Sequence, residues 1–364
     1  MLSFAGLRSM SIDPIDRAVQ LHDRACEYQE HGEYGKANSS CRSSLRLIES
    51  ACGEGHPDVA NVLNTLGKIQ EDLADYAGAE ETYRRSVSIM EALSGDDAEI
   101  RRLLVQSWVG LAGILRVQAR YAEAEPLFIR ALSAAEQAFG PHDLEVSSVL
   151  NGLAVLYKYT GEFDKAAKLY RRALKIVEKA CGPNHPQAAT IYHNLGGLEH
   201  ARGHYAKGEP YARRSVEIRE KALGPDHPDV AADVAALAAL LEPQGKHDEA
   251  EKLYRRALSA FERVHGPEHY EIAVNLNNLA ALYYGQGRHT EAAPLYRRAL
   301  TIKEKILGPA HPDVGMTLNN LAALCKATGD LDEARTHYER ALAIFTRSLG
   351  EQHPKTKLCR ENFR

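Results

Sequence analysis

The stretch "LNNLAAL" spans residues 276–282 and returns letter for letter at 318–324, 42 positions further on. Asparagine is a poor helix former because its side chain competes for backbone hydrogen bonds. Yet Asn277, Asn278, Asn319 and Asn320 stand in pairs inside an otherwise leucine and alanine pattern. The interval between the copies is informative in itself. Gly140, Gly182, Gly224, Gly266, Gly308 and Gly350 recur at the same 42-residue step, and so do Phe163, Tyr205, His247, His289 and Leu331. A fixed period of this length marks a repeat architecture and governs every local reading. The register continues back through Tyr76 and Tyr34 with one slip of three residues, which places an insertion near 96–104. Eight units fill residues 14–352, leaving 1–13 as a flexible N-terminal tail and 353–364 as a C-terminal capping helix.

Each unit reads as two helices. In the seventh, Leu276, Leu279, Ala280 and Tyr283 give helical spacing over about 269–286, and Ala292, Leu295, Tyr296 and Ala299 do so over about 289–307. Gly308 can take the left-handed conformation that closes a helix, Pro309 cannot continue one, and Pro312 with Asp313 suits the start of the next. Leu358 and Phe363 are expected to lie over the last repeat, because a terminal repeat cannot cover its own face. The insertion replaces the "GPxHP" junction with "SGDDAEIRRLL" at 94–104. A distorted joint, and with it a candidate hinge, is expected there.

Small residues recur at two sets of positions. Leu–small pairs fall at Leu66–Gly67, Leu111–Ala112, Leu153–Ala154, Leu195–Gly196, Leu237–Ala238, Leu279–Ala280 and Leu321–Ala322, and second-helix small residues run from Ala79 to Ala334. This set resembles the tetratricopeptide repeat. The 42-residue variant with "LNNLAxLY" and "LYRRALxIxEK" is similar to the repeats of kinesin light chains and kinesin-light-chain-type proteins over about 14–352. The resemblance implies an all-α, right-handed superhelical solenoid whose first helices line a concave groove. Kinesin light chains carry a long heptad segment ahead of their repeats, whereas thirteen residues precede the first helix here, which argues against a motor subunit.

The net charge of −4 and sequence pI near 6.5 lack the basic footprint of a general nucleic-acid binder. The longest apolar run, "VAALAALL" at 234–241, is too short to span a membrane. No secretory signal is evident at the N-terminus. Six cysteines without a CxxC pair read as reduced thiols. A cytoplasmic monomer is the expectation.

No catalytic constellation emerges, and no cofactor or metal site is expected. The histidines of "HP" at His56, His185, His227, His311 and His353 recur once per repeat, too far apart to share one ion, and read as junction caps. "HARGH" at 200–204 places two histidines four apart but has no third ligand beside it. The arginine pairs, such as Arg213–Arg214 and Arg297–Arg298, are followed by Glu220 and Glu304, which suggests a salt-bridged solvated face. Trp108 falls in the column of Leu276 and belongs to the core.

The surface between the core stripes remains. At 100° per residue, Asn277 and Asn278 both point away from the stripe of Leu276, Leu279, Ala280 and Tyr283. Reading these columns along the chain gives a candidate groove of Asn61, Asn64, Lys68, Arg116, Asn151, Lys158, His193, Asn194, Asn277, Asn278, Tyr284, Asn319, Asn320 and Lys326. A carboxamide offers both a donor and an acceptor, as an extended peptide backbone requires, although the same groups could bridge neighbouring helices. The sequence therefore points to a non-enzymatic scaffold or adaptor that binds an extended peptide of a partner protein, polar or acidic given Lys68, Arg116 and Lys158. The alternative is a ligand- or peptide-responsive sensor that releases a client when the superhelix changes shape.

Overall fold

A computed structural model describes residues 13–93 and 97–363. The expected tail lies outside the described residues except for Asp13, whose carboxylate caps the first helix at the Ile15 amide. Helices follow one another in pairs: α1 (Pro14–Glu30) and α2 (Tyr34–Cys52), α3 (Pro57–Asp72) and α4 (Tyr76–Ala92), α5 (Ala98–Val117) and α6 (Tyr121–Phe139), α7 (Leu144–Tyr159) and α8 (Phe163–Cys181), α9 (Pro186–Ala201) and α10 (Tyr205–Leu223). Then come α11 (Pro228–Leu241) and α12 (His247–His265), separated by a single 3₁₀ turn, α13 (Tyr270–Gly285) and α14 (His289–Leu307), α15 (Pro312–Thr328) and α16 (Leu331–Leu349), and a last helix α17 (Pro354–Phe363). The described residues contain no strand. The array is a right-handed helical solenoid.

The periodic residues explain the boundaries. Phe163, Tyr205, His247, His289 and Leu331 each begin a second helix, and the periodic glycines each end one with φ between 74° and 89°. Within each pair the turn also needs a left-handed residue. Glycine supplies it at Gly32, Gly161, Gly203, Gly245, Gly287 and Gly329, but Ala74 and Ala119 take the same place at φ 57° and 60°. Small residues let helices touch: a Cβ on Gly67 would stand 2.7 Å from the Tyr83 ring. Tyr170, Tyr254, Tyr296, Phe128, Phe261 and Phe345 fill the core between repeats. Trp108 is buried as expected, with its indole donating to Glu91.

The outer face is stitched by arginines. Arg85–Glu49, Arg172–Glu136, Arg256–Glu220, Arg298–Glu262 and Arg340–Glu304 each join one repeat to the previous one. Glu220 and Glu304 thus pair with arginines of the following repeat, across the stack. Each such exposed pair is worth little, about 0–1 kcal/mol.

Two expectations are corrected. Leu358 is 54% exposed, because α17 turns Thr356, Cys359 and Phe363 inward, the Phe363 ring lying 5.7 Å from Tyr338. Residues 94–96 of the insertion lie outside the described residues, and from Asp97 onward it does not disturb the packing of α5. It lengthens α5 to 20 residues, against 16 in α3 and α7, and Trp108 is eleventh in its helix where Leu276 is seventh. The additional turn therefore precedes the packing positions, and α5 still packs against both α3 and α4.

A further periodicity closes the superhelix on itself. The Nε2 atoms of His227, His269, His311 and His353 bond to the backbone carbonyls of Glu30, Asp72, Val117 and Tyr159, at 2.7, 3.0, 2.5 and 2.9 Å. The partners are 197 residues apart for the first two and 194 for the last two. The difference of three is the insertion, which the turn absorbs without losing register. The start of each late first helix thus sits on the end of the first helix five units earlier. Around this seam, Gly32 approaches Pro228 and Tyr34 stacks on His265, which stacks on His269 at 3.7 Å.

Candidate functional site

The junction histidines are indeed caps, and more. In each of His56, His185, His227, His269, His311 and His353, Nδ1 accepts from the amide two residues on, at 3.1–3.3 Å. Only the last four have a turn of superhelix beneath them, and in these the Nε2–H also donates across the seam. A carbonyl can only accept, so both bonds together require the neutral imidazole with its proton on Nε2. Burial pushes the His269 and His353 rings below the usual histidine range.

Neighbouring first helices meet with an offset of one residue, so bonds between them span 43 positions. This offset accounts for the asparagine pairs. Asn320 donates to the Asn277 oxygen (3.4 Å) and Asn362 to Asn319 (3.3 Å), while Asn277 donates to Asn278 and Asn319 to Asn320 within their own helices. In the second pair Asn320 bonds to the preceding first helix and Asn319 to the following one, whereas in the first pair Asn277 bonds to the following one alone. The result is a continuous ladder, Asn278–Asn277–Asn320–Asn319–Asn362, over α13, α15 and α17. Asn194 donates to Asn151 at 2.9 Å in the same manner. Each carboxamide has two N–H donors, so the ladder leaves hydrogen-bonding capacity unspent at the half-buried Asn278, Asn319, Asn320 and Asn362; Asn277, expected to face outward, is buried at 5% exposed because the neighbouring first helix covers it.

The other candidates divide. Asn64 is a strut: its oxygen accepts from Ser86 and Ser107, and its nitrogen donates to the Leu103 carbonyl. His193 bonds through Nδ1 to the fully buried Asp233 at 2.7 Å, and Asp233 in turn faces Arg219. Tyr284 stacks on His289, and Lys326 donates to the Asn362 carbonyl. Asn61 is half-buried and Lys68 exposed, both on α3. Arg116 and Lys158 come together at the ring of Tyr159, 5.5 and 5.3 Å from its centre.

Several groups beside this face, among them Lys303, Tyr270 and Asp233, escaped the sequence reading. The Lys303 ammonium, 4% exposed, donates to Thr317, and the Tyr270 hydroxyl donates to Asp313. Burial lowers Lys303 and lifts Glu71 to about 7 and Asp72 to about 6. For Asp313 burial acts upward, but Lys303, Lys355 and His311 outweigh it and hold the carboxyl at about 2. The legible signal was polarity in an apolar column. Asp233, Asn275 and Thr317 share the column of Val149 and Ile191, and Arg219 and Lys303 that of Val177 and Phe261.

A family model for the tetratricopeptide repeat matches residues 17–92, 103–179, 150–221, 187–233, 231–305 and 313–363. The chain belongs to the tetratricopeptide repeat family. Among solved structures, the tetratricopeptide array is similar to a putative kinesin light chain with nearly identical repeats from Podosopora anserina: 25% identity, 55% of this chain, 94% of the other, TM-score 0.42. It is also similar to a Rap protein complexed with competence and sporulation factor, at 13% identity over 93% of this chain and 100% of the other, TM-score 0.64. A signal-transduction ATPase with a tetratricopeptide sensor from Pyrococcus horikoshii matches at 15% identity over 92% of this chain and 49% of the other, TM-score 0.54. The last two likenesses concern the fold alone. The search of curated proteins finds no match.

Among the described residues of this tetratricopeptide array, no helix is long and apolar enough to cross a membrane. The histidines of "HARGH" diverge: His204 bonds to Glu199 and His200 lies edge-on to Tyr205. A different trio converges at the α15–α16 turn, where donor atoms of Cys325, Glu333 and His337 lie within 4.8 Å of one another. They could offer a metal three ligands. Glu333 already accepts from His337 and stands 3.8 Å from the Arg297 guanidinium, so a cation is in place.

Proposed function

We propose that the chain is a non-enzymatic scaffold whose concave face takes an extended peptide segment of a partner protein. The observation that carries this reading is the carboxamide ladder on three successive first helices. Its unspent donors and acceptors match a peptide backbone irrespective of side-chain sequence, and the cations at Tyr159 add a preference for acidic residues. Membership of the tetratricopeptide family supports a protein-interaction role. The test is affinity isolation and mass spectrometry with the wild-type chain and with Asn277→Ala/Asn319→Ala, alongside thermal melting. Loss of about two to four bonds to the partner at roughly 0.5–1.5 kcal/mol each lowers partner affinity at least tenfold, and melting falls beside it because the same two residues link α13, α15 and α17. Unchanged affinity with a lower melting temperature would make the ladder a strut and refute the reading.

The seam favours a second reading, a sensor that releases a client as the superhelix changes shape. Four weak, identical bonds between turns are a means of opening. A partner that binds the wild type and a seam-opened variant equally well would eliminate it.

A further inference from the structure

The closed seam brings a third cation to the pair at Tyr159. The Lys355 ammonium, carried by α17 from the other side of the seam, stands 5.8 Å from the centre of the ring that Arg116 and Lys158 approach from α5 and α7. Three cationic centres thus lie within 6 Å of one tyrosine ring. Among the described residues, none of the three has a hydrogen bond or an ion pair; the Tyr159 ring is their shared contact.

The carboxylates nearby are engaged or displaced. Asp313 accepts from Tyr270 and Glu71 from Tyr83, and neither comes within ion-pair distance of the three cations. Asp313 acts on Lys355 and Lys158 through space without forming an ion pair with either, and like charges gathered with so little direct pairing raise the energy of the folded state. Most arginines elsewhere in this protein pair with a carboxylate, as Arg85, Arg172, Arg256, Arg298 and Arg340 do, so Arg116, which shares its ring with two lysines instead, stands out.

We propose that Arg116, Lys158 and Lys355 form a seam-spanning site for an oxyanion, a carboxylate or phosphate group of the ligand that enters the groove. This rests on the groove-binding reading. An oxyanion has acceptors for Arg116's planar fork and for two ammonium groups at once. Because Lys355 crosses the seam, the site is complete only when the superhelix is closed, and the anion in turn holds the turns together.

The titration of Lys158 offers an independent readout. Burial, then Arg116 and Lys355, lowers its ammonium to about 8, with Asp313 acting the other way; His200 also faces it from α9. An anion restores the ammonium, so binding near pH 8 takes up protons.

The experiment is calorimetric titration of the full chain with a pentaglutamate peptide and, separately, with inorganic phosphate, in two buffers of different ionisation enthalpy. Expected are proton uptake on binding, about tenfold weaker binding for Lys355→Gln, and wild-type binding for Lys168→Gln, an exposed lysine of α8 on the outer face. Arg116→Gln serves as the second variant, with melting curves establishing that both are folded. A response to the peptide alone assigns a carboxylate source, and one to phosphate alone a phosphoryl source. Failure of the wild type to bind either probe at millimolar concentration, or equal binding by wild type and both variants, overturns the proposal. The ladder reading would survive that outcome, since it is tested on the partner with the asparagine variant.

Discussion

Replacing the four seam histidines by asparagine separates their two roles. Asparagine is among the best N-cap residues, so the cap at Asp229, Glu271, Asp313 and Lys355 is retained, while its short side chain cannot reach a carbonyl on the next turn. Each lost cross-turn bond removes about 0.5–1.5 kcal/mol. The four together therefore withdraw roughly 2–6 kcal/mol from the contact between turns, a large part of what such a narrow seam can supply. The remaining contacts, Gly32 against Pro228 and the Tyr34–His265–His269 stack, lose the third ring as well. Small-angle scattering should show a longer particle with a larger radius of gyration, and hydrogen exchange should quicken at the ends of α1, α3, α5 and α7. His56→Asn/His185→Asn is the matched control, because these two histidines cap but have no turn to reach. A quadruple variant with the wild-type scattering profile would refute the seam as a determinant of shape.

Three further outcomes follow from particular residues. Ala74→Gly and Ala119→Gly should each raise stability by roughly 0.5–1 kcal/mol, since a left-handed alanine costs about 1–2 kcal/mol and glycine returns part of that as chain entropy; denaturant titration measures it. Asn64→Ala should lose about 0.5–1.5 kcal/mol for each bond it removes, since Ser86, Ser107 and the Leu103 carbonyl keep one another and the Ala60 carbonyl as partners, with partner affinity unchanged. Stability should also depend on the seam histidines' protonation. His269 and His353 are lowered in the folded chain, so their contribution is present above the unfolded value near 6.5 and is lost as pH falls below it. Glu71 and Asp72, raised by burial to about 7 and about 6, have the opposite slope. The comparison is therefore between melting curves of the wild type and His269→Asn/His353→Asn from pH 7 to 5, the variant losing less.

The repeat boundaries were legible because each rests on local chemistry: a histidine–proline cap, a glycine in left-handed conformation, an aromatic at the start of the second helix. The asparagine pairs were visible as exceptions in a leucine and alanine pattern, but their one-residue offset between helices was not, because the stagger arises from packing. Asn362 went unnoticed for the same reason. The seam lay further beyond reach. Nothing in residues 227 and 30 announces that they touch, since superhelical pitch is the sum of many small rotations between repeats. The charged groups at Tyr159 became a cluster only through that closure, which brought Lys355 to Arg116 and Lys158. The distorted packing expected at the insertion is not seen in the described part of α5, because added helical residues can lie outside the packed segment.

The central claim is that the concave face, and not the arginine-stitched outer face, holds the partner. A photo-crosslinking amino acid placed at Asn278 on the ladder, and in a second chain at the exposed Lys168 on α8, compares the two surfaces directly. The account predicts one discrete adduct from Asn278, with the crosslinked site in a single short segment of the partner, and none from Lys168. An adduct from Lys168 with none from Asn278 would contradict it.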